Sequence, residues 1–314
     1  MKRLISICVP CYNEEENVLP AYQELVRVTK PLNKYTFEFV YADNCSTDKT
    51  RERIRGLVHK DKRVVGVFLS RNFGAEASGE AAMDHATGDA VVIYHCDMQD
   101  PADLIPRYVR KWEEGYDTVV GVYTKTEDIF PMGLLRKLFY RFYKAISNID
   151  VPVNAGASCL MDRKVLNALK LFPEKFRFFR GLRSWVGFKT AYVTYARKKR
   201  EHGQSSYHLL DYFKHAERSF FGFSYLPLDL IIYAGLAIVG ISFLFLIGYL
   251  ISIILLGNEA SEMVILLTVI MLFGGIQLLA LSIVGKYVQV IVEETKSRPM
   301  YIVEEIAQRK RKTS

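Results

Sequence analysis

The chain has 314 residues, room for two ordinary domains, of which 50% are hydrophobic, and it carries a formal charge of +8. That charge fits a protein resting on anionic lipid better than a nucleic-acid binder, because no nucleic-acid motif accompanies it. Five cysteines, at 8, 11, 45, 96 and 159, are an odd number, which argues against a disulfide framework, and the single C-x-x-C of Cys8 and Cys11 points to neither zinc nor redox chemistry.

Up to about residue 224 the sequence alternates β-branched runs with charged, helix-like stretches. Met1-Lys2-Arg3 leads into only LISICV before Pro10, so no cleavable signal peptide is expected. In chain order the pattern predicts a strand at Leu4 to Val9, a helix from Glu14, a strand at Thr36 to Ala42 and a helix from Thr47. A strand at Val64 to Leu69, a helix around Glu76 to Ala86 and a strand at Ala90 to Cys96 follow. This alternation predicts an α/β domain with a mostly parallel sheet covered on both faces. Ligands of such sheets sit at the C-terminal strand ends, and the polar clusters fall there: Pro10, Tyr12 and Asn13; Asp43 and Asn44; Ser70, Arg71 and Asn72; and Asp97 to Asp100.

Locally, Asn13 reads as a helix N-cap followed by acids, although a strand-to-helix turn with an aromatic residue can also border a nucleotide base. Ser46 is a candidate cap of the next helix, leaving Asp43 free to accept hydrogen bonds from a uracil or guanine edge. In the His95-Cys96-Asp97-Met98-Gln99-Asp100-Pro101 run, Asp100 and Pro101 read as an N-cap and N1 pair. Asp97 and Gln99 have no such duty. Two oxygen ligands one residue apart at a strand end suit a Mg²⁺ or Mn²⁺ that completes its shell with water and diphosphate oxygens, and with His95 offering a nitrogen Mn²⁺ should serve at least as well as Mg²⁺.

Further along, residues 131–148 place Leu134, Leu135, Leu138, Phe139, Phe142 and Ile146 at helical spacing beside Arg136, Lys137, Arg141 and Lys144, which predicts an interfacial amphipathic helix. Residues 207–224 predict a second one leading into the membrane. Residues 230 to 256 carry no charge and reach about 40 Å at ~1.5 Å per residue, longer than a ~30 Å hydrocarbon core. A second charge-free run, Met263 to Gly285, follows a six-residue link, so an antiparallel transmembrane hairpin is expected. The link holds Glu259 and Glu262 without Lys or Arg, whereas Lys286, Lys296, Arg298 and residues 309–312 are basic; both termini should face the cytosol. Gly235, Gly240, Gly274 and Gly275 would let the spans pack closely in a homo-oligomer.

These residues resemble a known family, the family 2 glycosyltransferases of the polyisoprenyl-phosphate type, GtrB-like and dolichol-phosphate mannose synthase-like. The matching segments are VPCYNEEENV, DNCSTDKT, LSRNFGAEA, ATGDAVVIYHCDMQDP, LMDRKV, FRFFRGLRSWVGF and REHGQSSY, in that order. The resemblance implies a GT-A (Rossmann-like) domain over residues 1–206, a juxtamembrane helix over 207–224, spans over 227–256 and 263–290 and a cytosolic basic tail over 291–314. It implies an inner-membrane, multi-pass enzyme with a cytosolic catalytic domain, a nucleotide-sugar donor, UDP-glucose or UDP-N-acetylglucosamine, a polyisoprenyl phosphate acceptor and a divalent metal. Carried over by position, Pro10, Tyr12, Glu14, Asp43 and Asn72 would line the nucleotide, and Asp97, Gln99 and His95 would hold Mg²⁺ or Mn²⁺. Asp97 and Arg200 would be catalytic, and Arg136, Arg141, Arg200 and Ser205 would meet phosphate and lipid. The chain departs from the family at Asn44, His95-Cys96, Ala157-Ser158-Cys159 and Ser206. A degenerate transferase acting as a membrane scaffold and a polysaccharide synthase are the rival readings; the second lacks its usual Gln-x-x-Arg-Trp around Trp185.

Overall fold

The computed structural model describes residues 2–124, 154–172, 179–197, 244, 262–296 and 298–309. In chain order the elements are β1 (Leu4–Cys11), α1 (Val18–Thr29), β2 (Thr36–Asp43), α2 (Thr50–Lys60), β3 (Val64–Leu69), α3 (Ala75–Asp84), β4 (Ala90–Ile93) and α4 (Leu104–Glu113). Next come β5 (Thr118–Tyr123), β6 (Ala155–Asp162), α5 (Arg163–Lys170), α6 (Phe179–Trp185), β7 (Thr190–Tyr195), α7 (Glu262–Thr295) and β8 (Val303–Gln308). They belong to two units: Met1–Ala145, Ile149–Tyr212 and Arg298–Ser314 form one, and Ile146–Asn148 with Phe213–Ser297 the other.

The first unit is built on one eight-stranded sheet in the order β7-β5-β6-β4-β1-β2-β3-β8. Its centre is parallel, β4-β1-β2-β3, as expected. The flanks are mixed: β6 runs antiparallel to both β4 and β5 and β8 antiparallel to β3, while β7 pairs parallel with β5, so the sheet is mostly but not wholly parallel. Apolar side chains point to both faces of the central strands: Ile5, Ile7, Val9, Phe39, Tyr41 and Val92 are buried on one face, and Cys8, Val40, Ala42, Val67 and Val91 on the other. That double burial is why these segments read as continuous apolar runs rather than alternating ones. Helix α1 covers one face with Val18, Ala21, Leu25 and Val28, spaced at three and four residues.

The expected basic tail holds a strand. Residues 303–308 form edge strand β8, whose acids meet arginines of α2: Arg51 Nη2 lies 2.7 Å from Glu304 and Arg55 Nη2 2.5 Å from Glu305. A charged edge strand of this kind resists pairing with other chains.

In the second unit, α7 runs for 34 residues, about 50 Å at ~1.5 Å per residue, and contains the charge-free run Met263 to Gly285. Met263, Leu266, Ile270, Leu281, Val284, Val288 and Ile291 are exposed along it. Among the described residues no helix is long and apolar enough to cross a membrane; only part of the α7 side chains are described. Apart from Leu244, the expected first span at 227–256 lies outside the described residues, as do the helices expected at 131–148 and 207–224, with Arg136, Arg141, Arg200 and Ser205.

Candidate active site

Strands β1 to β4 end on one rim, and each ending turn holds a residue at positive φ: Asn13 at 53°, Cys45 at 60°, Gly74 at 100° and Met98 at 52°. Left-handed backbone at a non-glycine residue costs about 1 kcal/mol or more, and such strain gathers where a turn must present particular groups.

The β1 and β2 turns are clasped together. Asn13 N–H donates to Ser46 Oγ (2.9 Å), Thr47 N–H to Asn13 Oδ1 (2.9 Å), Glu14 N–H to Thr50 Oγ1 (2.8 Å), and Lys49 N–H to Glu15 Oε2 (2.8 Å). Asn13 and Ser46 are therefore not helix caps as expected. The helices start later, at Val18 and Thr50, because these side chains are used between the turns.

Two residues expected at the nucleotide have partners within the protein. Asp43 is not free: its carboxylate is fully buried, accepts from Ser46 N–H at 3.2 Å and lies 3.0 Å from Arg51 Nε. Burial pushes its pKa up, opposed by the Ser46 bonds and Arg51. Glu14 is buried too and accepts from Asn17 Nδ2 at 2.5 Å. Both shape the rim from beneath. Pro10 and Tyr12 remain half-buried on it. Asn72 is exposed on the β3 turn, where its Oδ1 accepts from Asn44 Nδ2 and Gly74 N–H, both at 2.9 Å. Asn44 Oδ1 in turn accepts from Phe73 N–H at 2.9 Å. Asn44, a departure from the family pattern, thus ties the second turn to the third by donating an N–H that a carboxylate lacks.

The β4 corner gathers the charged groups. Asp97 Oδ1 accepts from Gln99 N–H at 3.2 Å, and Gln99 Oε1 accepts from Arg197 Nη2 at 2.8 Å. Asp100 is buried and does not cap a helix, since α4 begins at Leu104. It accepts from Tyr195 Oη at 2.5 Å, with Arg197 Nε 3.6 Å away. Burial and the Asp100 charge push the Tyr195 phenol pKa up, keeping it a donor. Among the described residues no three His, Cys, Asp or Glu side chains converge on a metal position. Of the expected trio, Asp97 and His95 are half-buried in one turn, and Gln99 Oε1 accepts from Arg197. Hard oxygen donors of that number fit an ion that keeps waters and takes further oxygens from a ligand.

Residues 6–170 match the family described as Glycosyl transferase family 2. The chain belongs to this family. An uncharacterized glycosyltransferase of Synechocystis sp. is 35% identical over 96% of this chain and 95% of its own length. YkcC, an uncharacterized glycosyltransferase of Bacillus subtilis, is 38% identical over 95% of this chain and 93% of its own. The bactoprenol glucosyl transferase of Shigella phage SfX is 37% identical over 95% and 98%. The mixed sheet described above is that of a GT-A, Rossmann-like glycosyltransferase domain.

Sequence reasoning misses three groups in this glycosyltransferase. Tyr195 and Arg197 reach the corner from a strand about a hundred residues downstream, and nothing local marks them. The third is Arg183 on α6, buried at 4% exposure, whose Nη2 meets Gly156 O at 3.4 Å on β6 while Nη1 has no hydrogen-bond partner among the described residues. An arginine within an aromatic-rich segment is the available signal.

Proposed function

We propose that this family 2 glycosyltransferase moves a sugar from a nucleotide donor, UDP-glucose or UDP-N-acetylglucosamine, to the phosphate of a polyisoprenyl lipid such as undecaprenyl phosphate. The observation that carries the reading is the β4 corner, an open acidic turn flanked by an arginine on the rim where α/β sheets take their ligands. The near-full-length similarity to a protein named bactoprenol glucosyl transferase supports the acceptor.

In this reading Tyr12, Pro10 and Asn72 border the nucleotide, and the clasped turns fix their positions. Asp97, with Gln99 and His95 beside it, would hold Mg²⁺ or Mn²⁺, which when bound neutralises charge on the departing diphosphate. Arg197, and Arg200 by its place in the sequence, complement the same charge. The acceptor phosphomonoester has a second pKa near 6, so its oxygen is anionic at neutral pH and needs little deprotonation. That oxygen attacks the anomeric carbon as the carbon–oxygen bond to the diphosphate breaks. The nucleoside diphosphate leaves, and an α-linked donor gives a β-linked lipid phosphate sugar. Catalysis then rests on positioning and electrostatic stabilisation, in keeping with Ala157 where the family has an acid.

Access to the lipid follows from the anchor proposed from the sequence: spans at 227–256 and 263–290 in the inner membrane, the transferase domain in the cytosol, and interfacial residues Arg136, Arg141 and Ser205 meeting the lipid phosphate. The exposed apolar side chains along α7 are in keeping with it. The test is incubation of the purified full-length chain with undecaprenyl phosphate, Mn²⁺ or Mg²⁺ and a panel of radiolabelled nucleotide sugars. Label from one UDP-sugar should enter the lipid phase; no transfer from any donor would refute the proposal.

A further inference from the structure

Arg51 has duties on two sides. Its Nε lies 3.0 Å from the fully buried Asp43, and its Nη2 lies 2.7 Å from Glu304 of β8 and 3.2 Å from Leu69 O. The guanidinium also covers the Phe68 ring, 5.2 Å from its centroid. It is 23% exposed, so only one side meets water. Asp43 in turn holds the Ser46 amide, and Ser46 Oγ holds Asn13 N–H. A continuous line of charged and hydrogen-bonded groups therefore runs from the C-terminal strand through the β2 turn to the β1 turn, which follows Pro10 and Tyr12.

The sequence on β8 is shaped for this contact. Glu305 faces Phe68 and Val303 faces Leu69 in the antiparallel ladder, so the register slips and Glu304 falls between the paired positions. Such a bulge re-aims side chains, and it lets two successive acids reach the same helix, Glu304 to Arg51 and Glu305 to Arg55. The strand is also fastened at its start, where Ser70 N–H donates to Ile302 O at 3.0 Å and Tyr301 Oη to Asp84 at 2.6 Å. Ser70 opens the turn that carries Asn72.

We propose that β8 is part of the donor site, with Glu304 and Arg51 as positioning residues: Glu304 holds Arg51, Arg51 holds Asp43, and Asp43 fixes the turn at residues 44–47. The inference rests on the reading above that this rim binds the nucleotide. The segment after α7 is then a tie that sets donor affinity.

Glu304 and Glu305 supply their own control, because both lose an ion pair to α2 when truncated but only Arg51 reaches Asp43. The experiment uses the full-length chain and three variants, Glu304→Ala, Glu304→Gln and Glu305→Ala. Calorimetry measures UDP binding with Mn²⁺, and hydrogen exchange follows residues 44–49. Glu304→Ala should weaken UDP binding about fivefold and speed exchange of the turn by a similar factor, the scale of one partly exposed ion pair. Glu304→Gln, which keeps an oxygen for Arg51, should stay within about twofold of wild type, as should Glu305→Ala. If Glu304→Ala and Glu305→Ala behave alike in both measurements, the inference is overturned. If wild type binds no UDP, the donor reading fails, and the exchange comparison still decides whether Glu304 fixes the turn.

Discussion

Replacing Tyr195 by Phe removes one oxygen from the middle of the β4 corner. That oxygen donates to Asp100 at 2.5 Å, and both residues are buried, so no water is at hand to replace it. A buried hydrogen bond to a charged group contributes about 1.5–3 kcal/mol, and its loss leaves Asp100, among the described residues, with the longer 3.6 Å approach of Arg197 Nε. For a domain of this size ~2 kcal/mol corresponds to a fall in Tm of about 4–8 °C. Arg197 should then turn toward the uncompensated charge on Asp100 and release Gln99 Oε1, which it holds at 2.8 Å. Scanning calorimetry of wild type and Tyr195→Phe, with transfer kinetics at saturating acceptor, measures both effects. A lower Tm together with a donor KM raised several-fold is the expected pair. A Tm within about 1 °C of wild type would show that the bond does not support the corner.

Two further predictions concern an ion pair and a buried arginine. Burial works to raise the Asp61 pKa, but bonds from Arg63 and Tyr22 win and hold it at about 2, against an ordinary 3.8. A depressed carboxylate pKa contributes stability that is present above pH ~4 and lost as pH falls toward 2. Because the Arg63 partner is 41% exposed and solvent screens the pair, Asp61→Asn should cost about 1 kcal/mol at neutral pH and flatten that acid limb in pH-dependent denaturation. Arg183 is buried with one nitrogen unpartnered among the described residues, so Arg183→Met should leave Tm unchanged or raised if burial of the charge is uncompensated. A fall in Tm of several degrees would show instead that its bond to Gly156 O and its packing outweigh the cost of burying the charge.

The parts of the fold legible in the sequence are those whose partners are local or whose burial is two-sided. Strands β1 to β4 announce themselves as apolar runs because both faces are covered, and the sheet rule then collects Pro10, Asp43, Asn72 and Asp97 on one rim. Spacing does not assign the polar side chains within that rim. Asn13 and Ser46 look like caps to a reader who sees only neighbours, yet each is spent on the other's turn, more than thirty positions away in the chain. Asp43 reads as free because Arg51 and Glu304 have no sequence signal linking them. Strand β8 is hidden for a related reason: a short segment with two acids in a basic stretch reads as solvated until α2 supplies Arg51 and Arg55. Gln99 reads as a metal ligand, and the guanidinium that holds it comes from Arg197, beyond the reach of spacing arguments.

The most direct test of the central claim is the transfer reaction itself, run with wild type and Asp97→Asn in parallel. The substituted side-chain amide keeps an oxygen for the Gln99 N–H and so keeps the turn, but it removes the carboxylate charge at the open corner. With undecaprenyl phosphate, Mn²⁺ and a labelled UDP-sugar, wild type should place label in the lipid phase, and Asp97→Asn should lose at least about a hundredfold in rate with Tm unchanged, the scale of losing one electrostatic stabiliser of a transition state. Equal rates from the two proteins would contradict the account.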